Sequence, residues 1–182
     1  MKHLVATVAA GAVITAAFAS PAFAELKPGA KAPDFTAPAF MAGQPFTFKL
    51  ADALKKGPVV VYFFPAAYTK GCQIETHLFS EAVDQFKAQK ATVIGITAGN
   101  TEKLAEFSKD TEYCAGKFPM ALDAGAAIAK EYDATLPTRN ISSRTSYVIA
   151  KNGTVASAYS AMDPNDHVNQ TLAALKTLND KK

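Results

Sequence analysis

From residue 59 to residue 64 the chain is wholly apolar, β-branched or aromatic (VVVYFF), the pattern of a strand buried on both faces inside a parallel sheet. Pro65 cannot continue a central strand, so the run ends there. Beyond a short loop, residues 66–71, apolar side chains recur at helical spacing: Ile74, Leu78, Phe79, Ala82, Val83 and Phe86. That spacing predicts an amphipathic helix beginning close to Cys72, with those side chains turned inward. Residues 91–97 (ATVIGIT) read as a second buried strand. Asn100 then predicts the cap of a helix over residues 101–111, with Leu104 and Phe107 on its inner side.

The remaining pattern is shorter in period. Residues 117–123 form an extended segment, and Ile128, Ala129 and Tyr132 predict a brief helix behind it. Residues 144–150 and 154–160 read as two strands joined around Asn152 and Gly153, a strong hairpin signal. Asp163 followed by Pro164 predicts the start of a last helix, with Val168, Leu172 and Leu175 as its buried stripe. Residues 26–50 carry Pro28, Pro33, Pro38 and Pro45, and predict irregular chain with short extended pieces such as residues 46–48. A helical turn over residues 51–56 and the pair Gly57, Pro58 then lead into the first strand. Two strands linked through a helix, further helices, an antiparallel hairpin and a final helix describe an α/β domain: a central mixed β-sheet with helices on both faces. That order is the order of a thioredoxin-like fold.

The first 24 residues fall outside this pattern. A short basic start (Lys2, His3), an apolar run over residues 4–18 and the small-residue triplet Ala22, Phe23, Ala24 predict a secretory signal peptide cleaved after Ala24. Residues 25–182 then form a single domain of 158 residues, long enough for a substantial core. Export places the protein in an oxidising compartment, periplasmic or secreted. Without Lys2, 18 basic side chains face 16 acidic ones, and no basic run stands out, which argues against a nucleic-acid partner. No second apolar segment reaches membrane-spanning length, so no membrane contact is expected once the signal is removed. No cysteine, histidine or carboxylate cluster has metal-site spacing, and neither a metal nor an organic cofactor is expected.

Composition directs attention to the two cysteines, Cys72 and Cys114. A pair of cysteines in an exported protein also reads as a structural disulfide. Cys72, however, sits where a strand hands over to a helix, where unpaired backbone N–H groups and the helix dipole favour a thiolate. Arg144, at the head of a strand able to lie beside the first, is a candidate cation, and Thr69 lies on the same loop three residues before Cys72. A hydroxyl, a backbone N–H and a guanidinium around a thiolate can bind a peroxide and polarise its O–O bond. Attack by the thiolate then makes a sulfenic acid, which a second thiol converts to a disulfide.

These residues carry a family resemblance. Residues 65–72, PAAYTKGC, match the PxxxTxxC signature of the peroxiredoxins, and Glu75 is similar to the peroxiredoxin Q, or bacterioferritin comigratory protein, branch. PDFT at 33–36, FPMALD at 118–123 and RTSYVI at 144–149 resemble further family segments in the same order. The resemblance implies a thiol peroxidase that reduces hydrogen peroxide or small organic hydroperoxides. It implies that Cys72 is the peroxidatic cysteine, that Thr69 and Arg144 orient the peroxide, and that Pro65 shields the pocket. Cys114 becomes the candidate resolving cysteine, near the end of the helix after the second strand, with a permanent disulfide or an unrelated buried thiol as its other readings. The compartment points to an exported thioredoxin-like protein as reductant, and a monomer or weak dimer is the expected form. The sequence departs from the family where His77 occupies the position of the commonest resolving cysteine, where Ala150 replaces an aspartate, and in its export signal.

Several residues also have plainer readings. Glu75 could simply match the helix dipole. His77 is expected at the surface and His167 solvated near the start of the last helix. Arg139 competes with Arg144. Tyr68 and Phe118 either line the mouth of the site or only pack. Two other functions stand beside the peroxidase. A thioredoxin-like disulfide oxidoreductase would need a cysteine where Glu75 stands to complete CxxC, and a non-catalytic exported domain would carry a structural Cys72–Cys114 disulfide.

Overall fold

The structure is a computed structural model describing residues 25–181, so the expected signal peptide lies outside the described residues. The strands are β1 Thr36–Met41, β2 Gln44–Lys49, β3 Val59–Phe63, β4 Thr92–Thr97, β5 Met120–Leu122, β6 Thr145–Ile149 and β7 Val155–Ser160. The helices are α1 Leu50–Lys56, α2 Lys70–Glu81, α3 Val83–Ala88, α4 Leu104–Lys109, α5 Ala127–Glu131 and α6 His167–Asp180. All seven strands share one sheet in the order β2-β1-β5-β4-β3-β6-β7. β3 runs parallel to β4, and β4 to β5; the other neighbours are antiparallel, so the sheet is mixed.

Burial of β3 on both faces follows from its place in the middle of the sheet. Val59, Val61 and Phe63 point into one core with Phe35, Phe48, Leu50, Ala129, Tyr132 and Tyr147, beneath α1 and α5. Val60 and Tyr62 point into the other, with Phe79, Phe86, Leu104, Phe107 and Leu175 from α2, α3, α4 and α6. Each such side chain removed from water stabilises the fold by about 1.5–3 kcal/mol. The ring of Tyr62 stacks on that of Phe79 with centroids 4.3 Å apart, which clamps α2 to β3.

The helix that follows β3 departs from its apolar pattern in an informative way. Ile74 is 38% exposed, whereas Glu75 is fully buried. The inward stripe of α2 is Cys72, Glu75, Thr76 and Phe79, at i, i+3, i+4 and i+7. The two polar members fit there because each has a partner: Glu75 meets Arg144, and Thr76 lies 3.2 Å from the Tyr62 hydroxyl. Ala82, with ψ near 0°, interrupts the helix between α2 and α3.

Other elements are shorter, longer or later than their sequence patterns. Residues 36–41 form a full strand despite Pro38, paired with β2 along their whole length and with β5 only at Ala39 and Phe40. Asn100 caps no helix: it is left-handed (φ 52°), a 3-10 turn follows it, and its side-chain amide donates to the Ala67 carbonyl at 2.9 Å. α4 stops at Lys109 because Asp110 leaves helical geometry and accepts the Glu112 N–H on its own side chain. Asp163 likewise engages Asn165, and α6 begins only at His167. The β6–β7 hairpin turns at Gly153 (φ 82°), with Asn152 accepting from the Thr154 N–H. Among the described residues no helix is long and apolar enough to cross a membrane.

Candidate active site

The loop between β3 and α2 is held in place by the end of β4. The Thr97 hydroxyl donates to the Pro65 carbonyl at 3.2 Å, and the Ala67 N–H donates to the Gly99 carbonyl at 3.3 Å. A Cβ at Gly99 would stand 2.3 Å from the Pro65 carbonyl oxygen, so this close approach requires glycine. Tyr68 takes a left-handed backbone (φ 60°), rare for a residue with a side chain, and its hydroxyl is anchored to Asp110 at 3.1 Å. The Thr69 side chain is exposed and its hydroxyl turns back to the Ala66 carbonyl at 3.1 Å rather than toward a sulfur. The first backbone bond of α2 runs from the Gln73 N–H to the Thr69 carbonyl. The N–H groups of Gly71 and Cys72 lie ahead of it, in the first turn, where a helix has no acceptors of its own.

Cys72 is fully buried in that turn, and Arg144, 4% exposed, reaches it from the start of β6. Nη2 of Arg144 lies 3.6 Å from the Cys72 sulfur. The guanidinium is pinned on its other sides: Nε donates to the Met162 carbonyl at 3.0 Å, and Nη1 donates to Glu75 Oε2. Gly71 leaves room for it, since a Cβ there would be 2.8 Å from Nη2. The pairing of β3 with β6, in which Phe63 faces Thr145, brings residues 72 positions apart in sequence into one site.

Glu75 and His167 stand behind the guanidinium. Burial pushes the Glu75 carboxyl up to about 8, against the opposing pull of Arg144. His167, expected to be solvated, is fully buried; burial first, and Arg144 also, holds its ring down to about 4. Its Nε2 donates to the Ala161 carbonyl at 2.9 Å, and Nδ1 lies 2.8 Å from the Ser146 hydroxyl and 3.5 Å from Glu75 Oε1.

Cys114 is also buried and, like Cys72, a free thiol. It lies not in a helix but in the turns after α4, where Ala115 and Gly116 are left-handed. Its thiol donates to the Phe118 carbonyl at 3.4 Å, and burial pushes it up to about 11. This segment is fastened to α2 by three bonds: the His77 Nδ1–H to the Glu112 carbonyl at 2.8 Å, the Ser80 hydroxyl to the Cys114 carbonyl at 3.2 Å, and Lys117 to the Ser80 carbonyl at 3.1 Å.

The structure therefore brings Cys72 and Arg144 into contact, with Thr69 and Pro65 on the adjoining loop. Arg139 is exposed and Phe118 is buried against Tyr62. Glu75 does more than match a dipole, because it is the buried ionic partner of Arg144. Gly71, Gly99, Asn100 and His167 are the contributors that sequence patterning passes over. The run of polar residues on the inner side of α2 was the one signal that could have pointed to a charged partner. Among the described residues no group of three or more His, Cys, Asp or Glu could hold a metal ion.

The sequence matches the AhpC/TSA family over residues 28–158. It is 32% identical over 163 residues to the chloroplastic peroxiredoxin Q of Sedum lineare, covering 86% of this chain and 81% of that relative. The fold is similar to the crystal structure of the peroxidoxin BcpB from Mycobacterium tuberculosis, with TM-score 0.73 and 27% identity over 84% of this chain and 98% of the other. It also superposes on the reduced 2-Cys peroxiredoxin of Plasmodium vivax, with TM-score 0.75 and 20% identity over 85% and 97% of the two chains. The thioredoxin-like α/β fold of these neighbours is the fold of this chain.

Proposed function

This chain belongs to the AhpC/TSA family, the peroxiredoxins, and is a thiol peroxidase; from that premise we propose that Cys72 is its peroxidatic cysteine, with Arg144 and Thr69 as the groups that orient the peroxide. The observation that carries the assignment is the Arg144 guanidinium 3.6 Å from a buried sulfur at a helix N-terminus. At that distance a guanidinium and a thiolate attract by about 5 kcal/mol at an effective dielectric of about 20. The Cys72 thiolate attacks the terminal oxygen of a hydroperoxide, the S–O bond forms as the O–O bond breaks, and the departing oxygen takes a proton to leave as water or an alcohol. Cys72 is left as a sulfenic acid. Because Cys72 is covered, substrate enters only through movement of the loop 65–71. The exposed Thr69 then turns its hydroxyl from the Ala66 carbonyl toward the peroxide, while Pro65 closes the other side.

Cys114 is the proposed resolving residue: its sulfur attacks the sulfenic sulfur, water leaves and an intramolecular disulfide forms. Burial keeps Cys114 a protonated thiol in the closed form, so the turn 110–117 has to open first. A cavity of about 340 Å³ lined by Lys70, Gln73, Ile74, His77, Glu112 and Tyr113 runs along the seam that would part. A dithiol protein of the thioredoxin type then reduces the disulfide. If residues 1–24 direct export, that donor is itself periplasmic or secreted.

One equivalent of hydrogen peroxide added to the reduced protein tests the scheme, with peroxide loss and free thiols followed for wild type, Cys72→Ser and Cys114→Ser. Wild type should lose two thiols per peroxide, Cys72→Ser should not react, and Cys114→Ser should stop at a sulfenic acid that dimedone traps. Undiminished peroxide consumption by Cys72→Ser would overturn the assignment, and a disulfide joining two chains would replace Cys114 resolution within one chain.

A further inference from the structure

Glu75 has one oxygen on Arg144 and another with nothing hydrogen-bonded to it. Oε1 is buried without a hydrogen-bond partner, and Nδ1 of His167 lies 3.5 Å away. A buried carboxylate oxygen left bare costs about 1–3 kcal/mol or more. A single proton between the two groups removes that cost, whether it rides on Oε1 and points at Nδ1 or on Nδ1 and points at Oε1. The ring is built to take part. Its Nε2–H is committed to the Ala161 carbonyl, which turns Nδ1 toward Glu75 and Ser146, and the ring is set edge-on against Tyr159, centroids 4.9 Å apart. The Ser146 hydroxyl competes for the same Nδ1 at 2.8 Å.

We propose that His167, at the start of α6, is a positioning residue of the peroxide site, sharing with Glu75 the proton that decides how much of the Arg144 charge is left for Cys72. While the proton rides on Glu75, the guanidinium faces one anion, the thiolate. When the proton is lost, a full carboxylate on Oε2 competes with the sulfur for the same cation. The other charged and titratable groups around the pair are few. Asp163 and Asp166, from the segment before α6, favour a charged ring, and Arg144 opposes it. Tyr62 from β3 lies within electrostatic reach of Glu75, Cys72 and Cys114. Burial already raises the carboxyl to about 8, so the loss falls in an accessible range.

The inference rests on Cys72 being the reacting thiol. Its test is the pH dependence of the rate of Cys72 with hydrogen peroxide and, separately, with iodoacetamide, in the full chain carrying Cys114→Ser. The parent rate should fall above about pH 8. With His167→Leu the fall should move to lower pH by about one unit, the equivalent of losing one hydrogen bond. With Ser146→Ala, which leaves the ring in place and frees Nδ1, it should move up. With Glu75→Gln it should vanish, and adding His167→Leu should then change nothing. A merely structural role for His167 would lower the melting temperature without shifting the profile. Superimposable profiles for the parent, His167→Leu and Ser146→Ala would overturn the proposal, and so would a fall that survives in Glu75→Gln. If His167→Leu does not fold, the upward shift in Ser146→Ala decides alone. A parent protein inert to peroxide but normally alkylated would sink the peroxidatic assignment instead, and the alkylation profile would still report on the pair.

Discussion

Gly71→Ala is a one-carbon perturbation aimed at the contact between Arg144 and Cys72. The added Cβ would lie 2.8 Å from Nη2 and 3.7 Å from Cζ of Arg144. Carbon and nitrogen settle at about 3.4 Å or more, so the guanidinium must retreat by roughly 0.6 Å. A free arginine would do so at little cost, but this one is tied to the Met162 carbonyl at 3.0 Å and to Glu75. Retreat from 3.6 Å to about 4.2 Å weakens the attraction to the thiolate by about 0.7 kcal/mol at an effective dielectric of about 20. It also takes the N–H···S contact beyond hydrogen-bond range, worth about 1.5–3 kcal/mol to a charged acceptor. A total of roughly 2.2–3.7 kcal/mol corresponds to a forty- to 500-fold slower reaction with peroxide. Stability should hardly move, because alanine in a helix gains up to about 1 kcal/mol over glycine and the strain consumes part of it. Stopped-flow oxidation of the Cys114→Ser background and thermal denaturation read the two quantities separately. A Gly71→Ala protein that reacts at the parent rate would refute the reasoning. An equal loss in an Arg144→Lys background would also refute it, because the clash would then not act through the guanidinium fork.

Three further outcomes follow from the packing and the buried charges. Glu75 keeps its proton in the fold up to about 8 against an ordinary 4.5, and so destabilises as pH rises between those values; His167, held down to about 4 against an ordinary 6.5, has the opposite slope between 4 and 6.5. The two offset each other below 6.5, and between pH 6.5 and 8 stability should fall by about 2 kcal/mol in urea denaturation, a loss absent from Glu75→Gln. His77→Ala removes the bond to the Glu112 carbonyl, worth about 0.5–1.5 kcal/mol, and should speed disulfide formation after peroxide roughly threefold to tenfold; an unchanged rate in rapid-quench thiol analysis would mean that this fastening does not limit opening. Phe79→Ala removes the ring stacked on Tyr62 and should cost about 3–5 kcal/mol, lowering the melting temperature by about 10 °C or more; a loss under 1 kcal/mol in denaturant titration would mean that the ring carries little of the core.

Most of the architecture could be read from the chain because its elements are set by short-range pattern. The run VVVYFF reads as a buried strand, Asn152–Gly153 as a hairpin turn, and Phe79 and Phe86 as buried positions of the helical stretch after β3, although Ile74 of the same apolar stripe is exposed. Boundaries that depend on side-chain bonds were not legible. Asn100 looks like a cap until Ala67 claims its amide, and Asp163 until Asn165 claims its carboxylate. The helix expected over residues 101–111, close to Cys114, ends early because Asp110 satisfies a nearby N–H with its own side chain.

The chemistry divides in the same way. Sequence alone determined that a cysteine sits at the handover from β3 to α2 and that an arginine heads a later strand. Only the tertiary structure decided the electrostatics. Pairing of β3 with β6 set Arg144 on Cys72, and its charge made a buried Glu75 affordable, which turned α2 so that Ile74 faces solvent. His167 reaches to within 3.5 Å of Glu75 Oε1 from the far end of the chain, a juxtaposition that only the packing of α6 against α2 creates.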